Sequence, residues 1–146
     1  MALNPSAFYD ASATNNKRST RTFKDLNLNM TRHPVTGDIV SLKDVDAIKR
    51  SVRNLVNTNF YEKPFHPEIG CNVRAMLFEP ISPITANRIS NFIEDTITDF
   101  EPRVELSSIS VNPQLDNNSY SVTVEFYIVN VDTELQTLDI ILERTR

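Results

Sequence analysis

Apolar residues recur at helical spacing in two long stretches of the chain. The first runs from Asp44 to Thr58 and the second from Pro83 to Phe100. Apolar side chains three or four residues apart share one face of a helix, so both stretches predict amphipathic helices. The residues expected on the buried faces are Val45, Ile48, Val52, Leu55 and Val56 in the first helix, and Ile84, Ile89, Phe92, Ile93, Ile97 and Phe100 in the second.

The predicted helix starts carry capping signals. Ser41 or Asp44 is suited to cap the first helix and Ser82 the second, because a short polar side chain can accept a hydrogen bond from a free amide of the first turn. Pro83 favours the first helical position, where its missing N–H costs nothing. A short helix ending at Leu77-Phe78 is predicted between the two long ones, with Glu68 as its candidate cap.

Alternation of apolar and polar residues predicts three strands after the second long helix. They cover Val104 to Val111, Tyr120 to Ile128, and Leu135 to Leu142, with Leu138, Ile140 and Leu142 in phase in the last. The alternation slips near Ser107-Ser108, which predicts a bulge. The stretch from Asn112 to Ser119 is rich in Asn, Asp and Pro, and we expect it to be a turn.

These elements predict an α+β fold: a small antiparallel sheet of three or more strands, packed with two main helices and a short helix. A short hairpin or extended segment is expected from Phe23 to Leu42, with Pro34 and Gly37 in its loop. Residues 1–22 are polar and are expected to form a flexible or partner-ordered N-terminal arm. Residues 23–146 are then one domain, as the length of 146 residues suggests.

Composition narrows the function classes. The net charge is only −4, so nothing calls for nucleic acid or an anionic membrane as a partner. Residues 91–146 carry eleven acids and three bases, a net −8, and the rest of the chain carries +4. This asymmetry suits electrostatic docking inside an assembly, although a solvated surface is an equal alternative.

Candidate reactive groups are few. Cys71 stands alone, which excludes an internal disulfide, and it is expected to be a small core residue. His33 and His66 each precede a proline and make no zinc pattern. No metal, cofactor or phosphate-binding motif is predicted. No apolar run is long enough to span a bilayer, and the first residues do not resemble a signal peptide, so cytoplasmic synthesis is expected.

The tripeptide Glu101-Pro102-Arg103 separates the second helix pattern from the first strand pattern. Pro102 disfavours helical conformation at Glu101, so the helix should end near Phe100. The junction would then present one carboxylate and one guanidinium on a stiff corner. Arginine is suited to bidentate recognition of a partner carboxylate, so the corner is a candidate docking point. The alternative is an internal corner in which Glu101 accepts bonds from nearby backbone amides.

A second segment precedes this corner. From Val52 to Phe78 the chain reads VRNLVNTNFYEKPFHPEIGCNVRAMLF, with a proline-rich connection from Lys63 to Cys71. We expect that connection to be structural, with Phe65 packing the loop across the helices and Gly70 permitting a tight turn. This segment, followed by a helix and the Glu-Pro-Arg corner, resembles the baseplate wedge and sheath-initiator family of contractile-tailed phages. The family includes a baseplate subunit of type VI secretion systems, and the resemblance covers roughly Asp44 to Leu142.

The resemblance implies a structural protein of the virion tail baseplate, assembled in the host cytoplasm. It implies that Glu101, Pro102 and Arg103 contact the core bundle formed by other baseplate wedge proteins. Arg103 would pair with acidic or backbone acceptors of the bundle, and Pro102 would fix the angle. Glu101 would accept hydrogen bonds from the bundle or hold Arg103 in position. It also implies that the sheet end offers a strand to the first ring of tail sheath protein, and we place that role on the last strand, with Leu138, Ile140 and Leu142. Tail tube or hub proteins are further candidate partners; nucleic acid and membranes are not.

Two other functions stay open. A baseplate peptidoglycan hydrolase would need two carboxyl groups flanking a cleft, and candidate acids are Glu62, Glu68, Glu79, Glu94 and Glu101. None lies in a recognisable catalytic motif, and the chain has no tryptophan for sugar stacking, so we expect no enzyme. The other alternative is a baseplate subunit of a bacterial contractile secretion system, which the sequence alone does not separate from a phage tail.

Overall fold

The computed structural model describes residues 23–129 and 134–143. The predicted N-terminal arm, residues 1–22, lies outside them. The elements are β1 (Lys24–Leu26), β2 (Ser41–Lys43), α1 (Asp44–Asn57), α2 (Val73–Met76), α3 (Pro83–Phe100), β3 (Val104–Gln114), β4 (Ser119–Ile128) and β5 (Gln136–Glu143). The predicted α+β class is confirmed, because an antiparallel sheet β3-β4-β5 and a two-stranded sheet β1-β2 accompany three helices.

The core lies between the β3-β4-β5 sheet and the two long helices. Every second side chain of β4 and β5 points to this core, as the alternation of apolar residues predicts. The helices contribute apolar side chains at helical spacing. The fully buried members are Ile48 and Val52 of α1, Ile89, Ile93 and Ile97 of α3, and Val122, Val124 and Phe126 of β4. Both helices therefore pack on one face of the sheet, and α3 lies against β3.

Most predicted element bounds are confirmed within a residue or two. The long helices begin at Asp44 and Pro83 as expected, and β3 and β4 shift register between Leu106 and Ser108, where the alternation slips. The segment from Phe23 to Leu42 is a hairpin: β1 pairs with β2, and Arg32 bridges Ile39. Ser82 caps α3, since its hydroxyl accepts a hydrogen bond from the Thr85 amide at 3.1 Å.

The cap predicted for α1 is wrong. Lys43 occupies the N-cap position and makes no side-chain cap bond. Asp44 instead has a positive φ of 48°, and its carboxylate accepts a hydrogen bond from the Phe23 amide at 3.1 Å. The Asp44 amide in turn donates to the Phe23 carbonyl oxygen at 2.8 Å. Asp44 therefore attaches the start of β1 to the start of α1.

Two further expectations fail at element ends. Ile84 is 69% exposed, because it precedes Ile89 by five residues and so lies about 140° around the helix from it. The predicted turn from Asn112 to Ser119 begins too early. Strand β3 continues to Gln114, and Pro113 at this sheet edge pairs with Tyr120. An edge strand tolerates proline because the missing N–H faces away from the neighbouring strand.

Candidate docking site

The Glu101-Pro102-Arg103 corner joins α3 to β3. Helix α3 ends at Phe100, and the Glu101 amide still donates to the Ile97 carbonyl oxygen at 2.9 Å. The chain then turns, and the Val104 amide donates back to the Glu101 carbonyl oxygen at 3.1 Å. Pro102 stops the helix as predicted, because it disfavours helical conformation in the residue before it. The corner is thus set by backbone hydrogen bonds on both sides of the proline.

The two charged side chains of the corner bind each other. Nε of Arg103 donates to Oε1 of Glu101 at 2.5 Å, and Nη2 of Arg103 donates to Oε2 at 2.6 Å. The Ser51 hydroxyl of α1 also donates to Oε2, at 2.6 Å. Glu101 is only 3% exposed. A bidentate pair of this kind is among the strongest hydrogen-bonded arrangements of side chains.

The electrostatics of the pair follow from this geometry. Burial alone would raise the pKa of Glu101, but hydrogen bonds from Arg103 and Ser51 outweigh it, so the pKa lies below its ordinary value. The hydrogen bond to Glu101 raises the pKa of Arg103. Both groups are therefore charged at neutral pH. The internal-corner alternative places Glu101 against nearby backbone amides. The Arg103 backbone does help to lower the Glu101 pKa, but the side chains of Arg103 and Ser51 contribute more.

Arg103 also contacts the start of the hairpin and keeps part of its guanidinium free. Its Cζ lies 5.4 Å from the centroid of the Phe23 ring, a cation–π distance. Its hydrogen bonds to Glu101 and Ser51 use Nε and Nη2. Within residues 23–129 and 134–143, no hydrogen-bond acceptor engages Nη1. The side chain is 34% exposed, so Nη1 can serve an acceptor on another molecule.

An open cleft of about 590 Å³ lies beside the corner. One wall comes from α1 and the end of α3, including Ser51, Asn54 and Glu101. The other wall comes from the loop between α1 and α2, including Glu62 and Lys63. The cleft brings together residues from elements far apart in sequence, and it extends the corner into a larger surface.

The loop from Asn59 to Gly70 is closed by its own hydrogen bonds. The Tyr61 amide donates to the Pro67 carbonyl oxygen at 3.0 Å, and the Asn59 amide donates to Glu62 Oε2 at 2.9 Å. A Cβ at Gly70 would lie 2.5 Å from the carbonyl carbon of Asn59. Glycine is therefore required there by a close approach of two backbone segments and not by the tight turn that the sequence suggests.

Two predictions for this loop are wrong. Phe65 does not pack across the helices: its side chain is 97% exposed. Its backbone has a φ of +67°, a conformation that apolar periodicity does not indicate. Glu68 does not cap α2, whose N-cap is Asn72; it binds the His66 ring at 3.0 Å instead. Cys71 is a buried core residue, as predicted, and burial raises the pKa of its thiol.

The residues predicted to meet the sheath lie on β5, an edge strand of the sheet. Leu138, Ile140 and Leu142 are buried, with their side chains in the core. Their side chains are therefore closed to another chain, and a strand added at this edge would have to use the outward main-chain groups of the alternate residues of β5. On the edge of β5 that faces away from β4, Nη2 of Arg53 in α1 donates to the Asp139 carbonyl oxygen at 3.3 Å.

The described residues hold no cluster of three or more His, Cys, Asp or Glu side chains that could bind a metal ion. None of the helices they form is long and apolar enough to cross a membrane. Among the candidate catalytic acids, Glu62 and Glu101 do line one cleft. A proton donor in a glycosidase needs a raised pKa, whereas the pKa of Glu101 is lowered and Arg103 occupies both its oxygens.

Comparison with known proteins shows the family to which the sequence is similar. Residues 43–133 match the family described as baseplate wedge protein gp25, a range that includes the Glu-Pro-Arg corner. The chain is 28% identical over 92 residues to the baseplate wedge protein gp25 of Enterobacteria phage T4, covering 63% of this chain and 70% of the relative.

Solved structures share the fold. The candidate tail lysozyme of Geobacter sulfurreducens superposes with a TM-score of 0.57 at 23% identity, covering 68% of this chain and 91% of that one. A chain of the anti-feeding prophage baseplate gives a TM-score of 0.59 at 20% identity, covering 86% and 88%. A chain of the type VI secretion baseplate complex gives 0.56 at 14% identity, covering 68% and 93%.

Proposed function

The chain belongs to the gp25 family of baseplate wedge proteins, and on that basis we propose that it docks on other wedge proteins and initiates the tail sheath. As a member of this family it is a structural component of the baseplate of a contractile tail or a related particle. In this proposal the chain docks through the Glu-Pro-Arg corner and offers a strand to the sheath. Assembly in the host cytoplasm belongs to it as well.

The observation that supports the docking role is that the Arg103 guanidinium is only partly engaged within its own chain. One edge is held by Glu101, and Nη1 is left for an acceptor on the partner. Because the pair with Glu101 fixes the side chain before binding, little rotamer entropy is lost when the partner arrives. A carboxylate or a backbone carbonyl at a helix C-terminus of the wedge bundle would fit this donor.

The sheath role rests on the free edge of β5. An edge strand presents unpaired main-chain groups to which another chain can add a strand. The contact between Arg53 and the Asp139 carbonyl oxygen indicates that this carbonyl points away from β4. In an antiparallel strand the N–H of the same residue points the same way. Asp139 would therefore both donate to and accept from an incoming sheath strand once Arg53 moves aside.

A hydrolase is disfavoured by the chemistry of the cleft, because Glu101 is ion-paired and its pKa is lowered. The relative from phage T4 is named a baseplate wedge protein, which supports a non-enzymatic role. A subunit of a bacterial secretion system remains the second candidate, and the genes beside this one would separate it from a phage tail.

Co-purification with the wedge proteins encoded beside it tests the docking role. Arg103→Lys keeps the positive charge but loses the planar fork, so we expect a folded chain that retains the wedge proteins poorly. Arg88→Lys is the matched control, since Arg88 lies on the exposed side of α3 and pairs with Glu79 at 3.6 Å. Equal retention by the two variants would reject the corner as the docking point.

A further inference from the structure

Two aromatic side chains stand almost fully exposed in the closed loop between α1 and α2, and a third, Phe60, is 43% exposed. Tyr61 is 86% exposed and Phe65 is 97% exposed. Burial of these two rings in the core would stabilise the fold, and their exposure gives up that stabilisation. Aromatic residues are enriched at the centres of protein interfaces, where they fill pockets on the partner.

Both residues also have strained backbones. Tyr61 has a φ of +66° and Phe65 a φ of +67°. For residues other than glycine this left-handed conformation is unfavourable. Met30, Asp44 and Asn118 adopt it as well, so the conformation counts here only together with the exposure of the two rings. The strain is held in place by the hydrogen bonds that close the loop, such as that from the Tyr61 amide to the Pro67 carbonyl oxygen. The rings are therefore presented in a preorganised arrangement.

The loop is continuous with the corner through the cleft. Glu62 and Lys63, which lie between the two aromatic residues in the chain, line the cleft together with Glu101. Asp25 of the hairpin is a further lining residue. A partner seated on the corner and filling the cleft would thus reach the aromatic loop.

The polar groups of the cleft indicate the chemistry of the occupant. Arg103 neutralises Glu101, so the charges left on the lining are Asp25 and Glu62 against Lys63. Asn57 donates its amide N–H to the Arg53 carbonyl oxygen, which leaves its side-chain oxygen as an acceptor. The cleft is therefore rich in acceptors and slightly negative, and it fits a lysine or arginine side chain.

We propose that the loop and cleft form one docking surface for a wedge protein segment that inserts a basic side chain into the cleft and covers Tyr61 and Phe65 with apolar surface. This inference rests on the proposed function, because the partner is the same wedge assembly. It adds a second contact area, the aromatic loop, and gives the charge of the group that the cleft accepts.

The test uses wedge complex purified without this chain, with the affinity of added full-length variants measured by light-scattering or interferometry titration. Phe65→Gly removes the ring at a position whose φ suits glycine, so we expect no loss of thermal stability and at least about tenfold weaker binding. Asn118→Gly is the matched control, because Asn118 has a φ of 49° in the distant β3–β4 turn. Binding by Phe65→Gly equal to that of this control would overturn the proposal.

The charge of the occupant is tested separately with Lys63→Glu and Asp25→Asn. A basic side chain in the cleft predicts about two- to fivefold tighter binding for Lys63→Glu and weaker binding for Asp25→Asn at low salt. The opposite signs would indicate an acidic occupant and overturn this part of the proposal. If Arg103→Lys loses binding and Phe65→Gly binds normally, the corner is the docking point and the loop is rejected. If Phe65→Gly loses binding and Arg103→Lys binds normally, the corner is rejected.

Discussion

Arg103 binds both carboxylate oxygens of Glu101, its neighbour on the other side of Pro102. Ser51, fifty residues earlier in α1, completes the arrangement by donating to the same carboxylate. The corner is thus a rigid, internally neutralised unit that connects α1 to the α3–β3 junction. Its two charges pair with each other, and only Nη1 of Arg103 is left to donate to another molecule.

Removal of one member of this pair should destabilise the domain more than removal of both. In Arg103→Ala the buried carboxylate of Glu101 loses its counter-ion, which should lower the free energy of unfolding by about 2–4 kcal/mol, reduced by the partial exposure of Arg103. The double variant Glu101→Leu/Arg103→Met should recover most of that loss. Urea denaturation measures both, and equal losses in the single and double variants would contradict a buried pair.

The pair also predicts a dependence of stability on pH. The pKa of Glu101 is lower in the folded chain than in the unfolded one, so the unfolded state binds more protons in acid. Its stabilising contribution is therefore complete above the ordinary carboxyl pKa of about 4.3 and is lost as the pH falls through the folded value. As the pH falls below about 4.3, the ordinary carboxyl pKa, the Tm should fall more steeply for the native chain than for Glu101→Gln. Parallel curves would contradict this sign.

Gly70→Ala should test the closure of the aromatic loop. The added Cβ would lie 2.5 Å from the Asn59 carbonyl carbon and 2.6 Å from the Phe60 amide nitrogen, so the backbone must move. Overpacking of this kind costs about 1–3 kcal/mol. Thermal unfolding measures the loss, with Ala75→Gly in the short helix as a mild comparison. An unchanged Tm for Gly70→Ala would show that the loop is not held by this close approach.

Sheath initiation at β5 predicts different results for two substitutions of one residue. Asp139→Pro removes the N–H that we place on the free edge, whereas Asp139→Ala removes only the side chain and its bond from Thr123. Baseplates carrying the proline variant should bear fewer sheathed tails in electron micrographs than those with alanine. Equal numbers would place sheath contact on another edge, of which β3 is the next candidate.

The helices and strands were predictable because their signals are local. Ile89, Ile93 and Ile97 indicate one helix face by spacing alone, and Val122 and Val124 likewise indicate one strand face. Arg103 was an expected partner of Glu101, since the two flank one proline. The bond from Ser51 was not predictable in this way, because Ser51 comes close only after α1 and α3 have packed. The direction of Phe65 was missed for a similar reason: its φ is set by the loop hydrogen bonds, and apolar character alone suggested burial.

A cryo-electron microscopy map of the assembled baseplate, at a resolution that shows side chains, tests the docking claim most directly. The account predicts that Arg103 keeps its bidentate pair with Glu101 while its Nη1 lies about 2.7–3.2 Å from a carboxylate or carbonyl oxygen of another wedge protein. An Arg103 side chain that contacts only residues of its own chain, with the corner open to solvent, would contradict it.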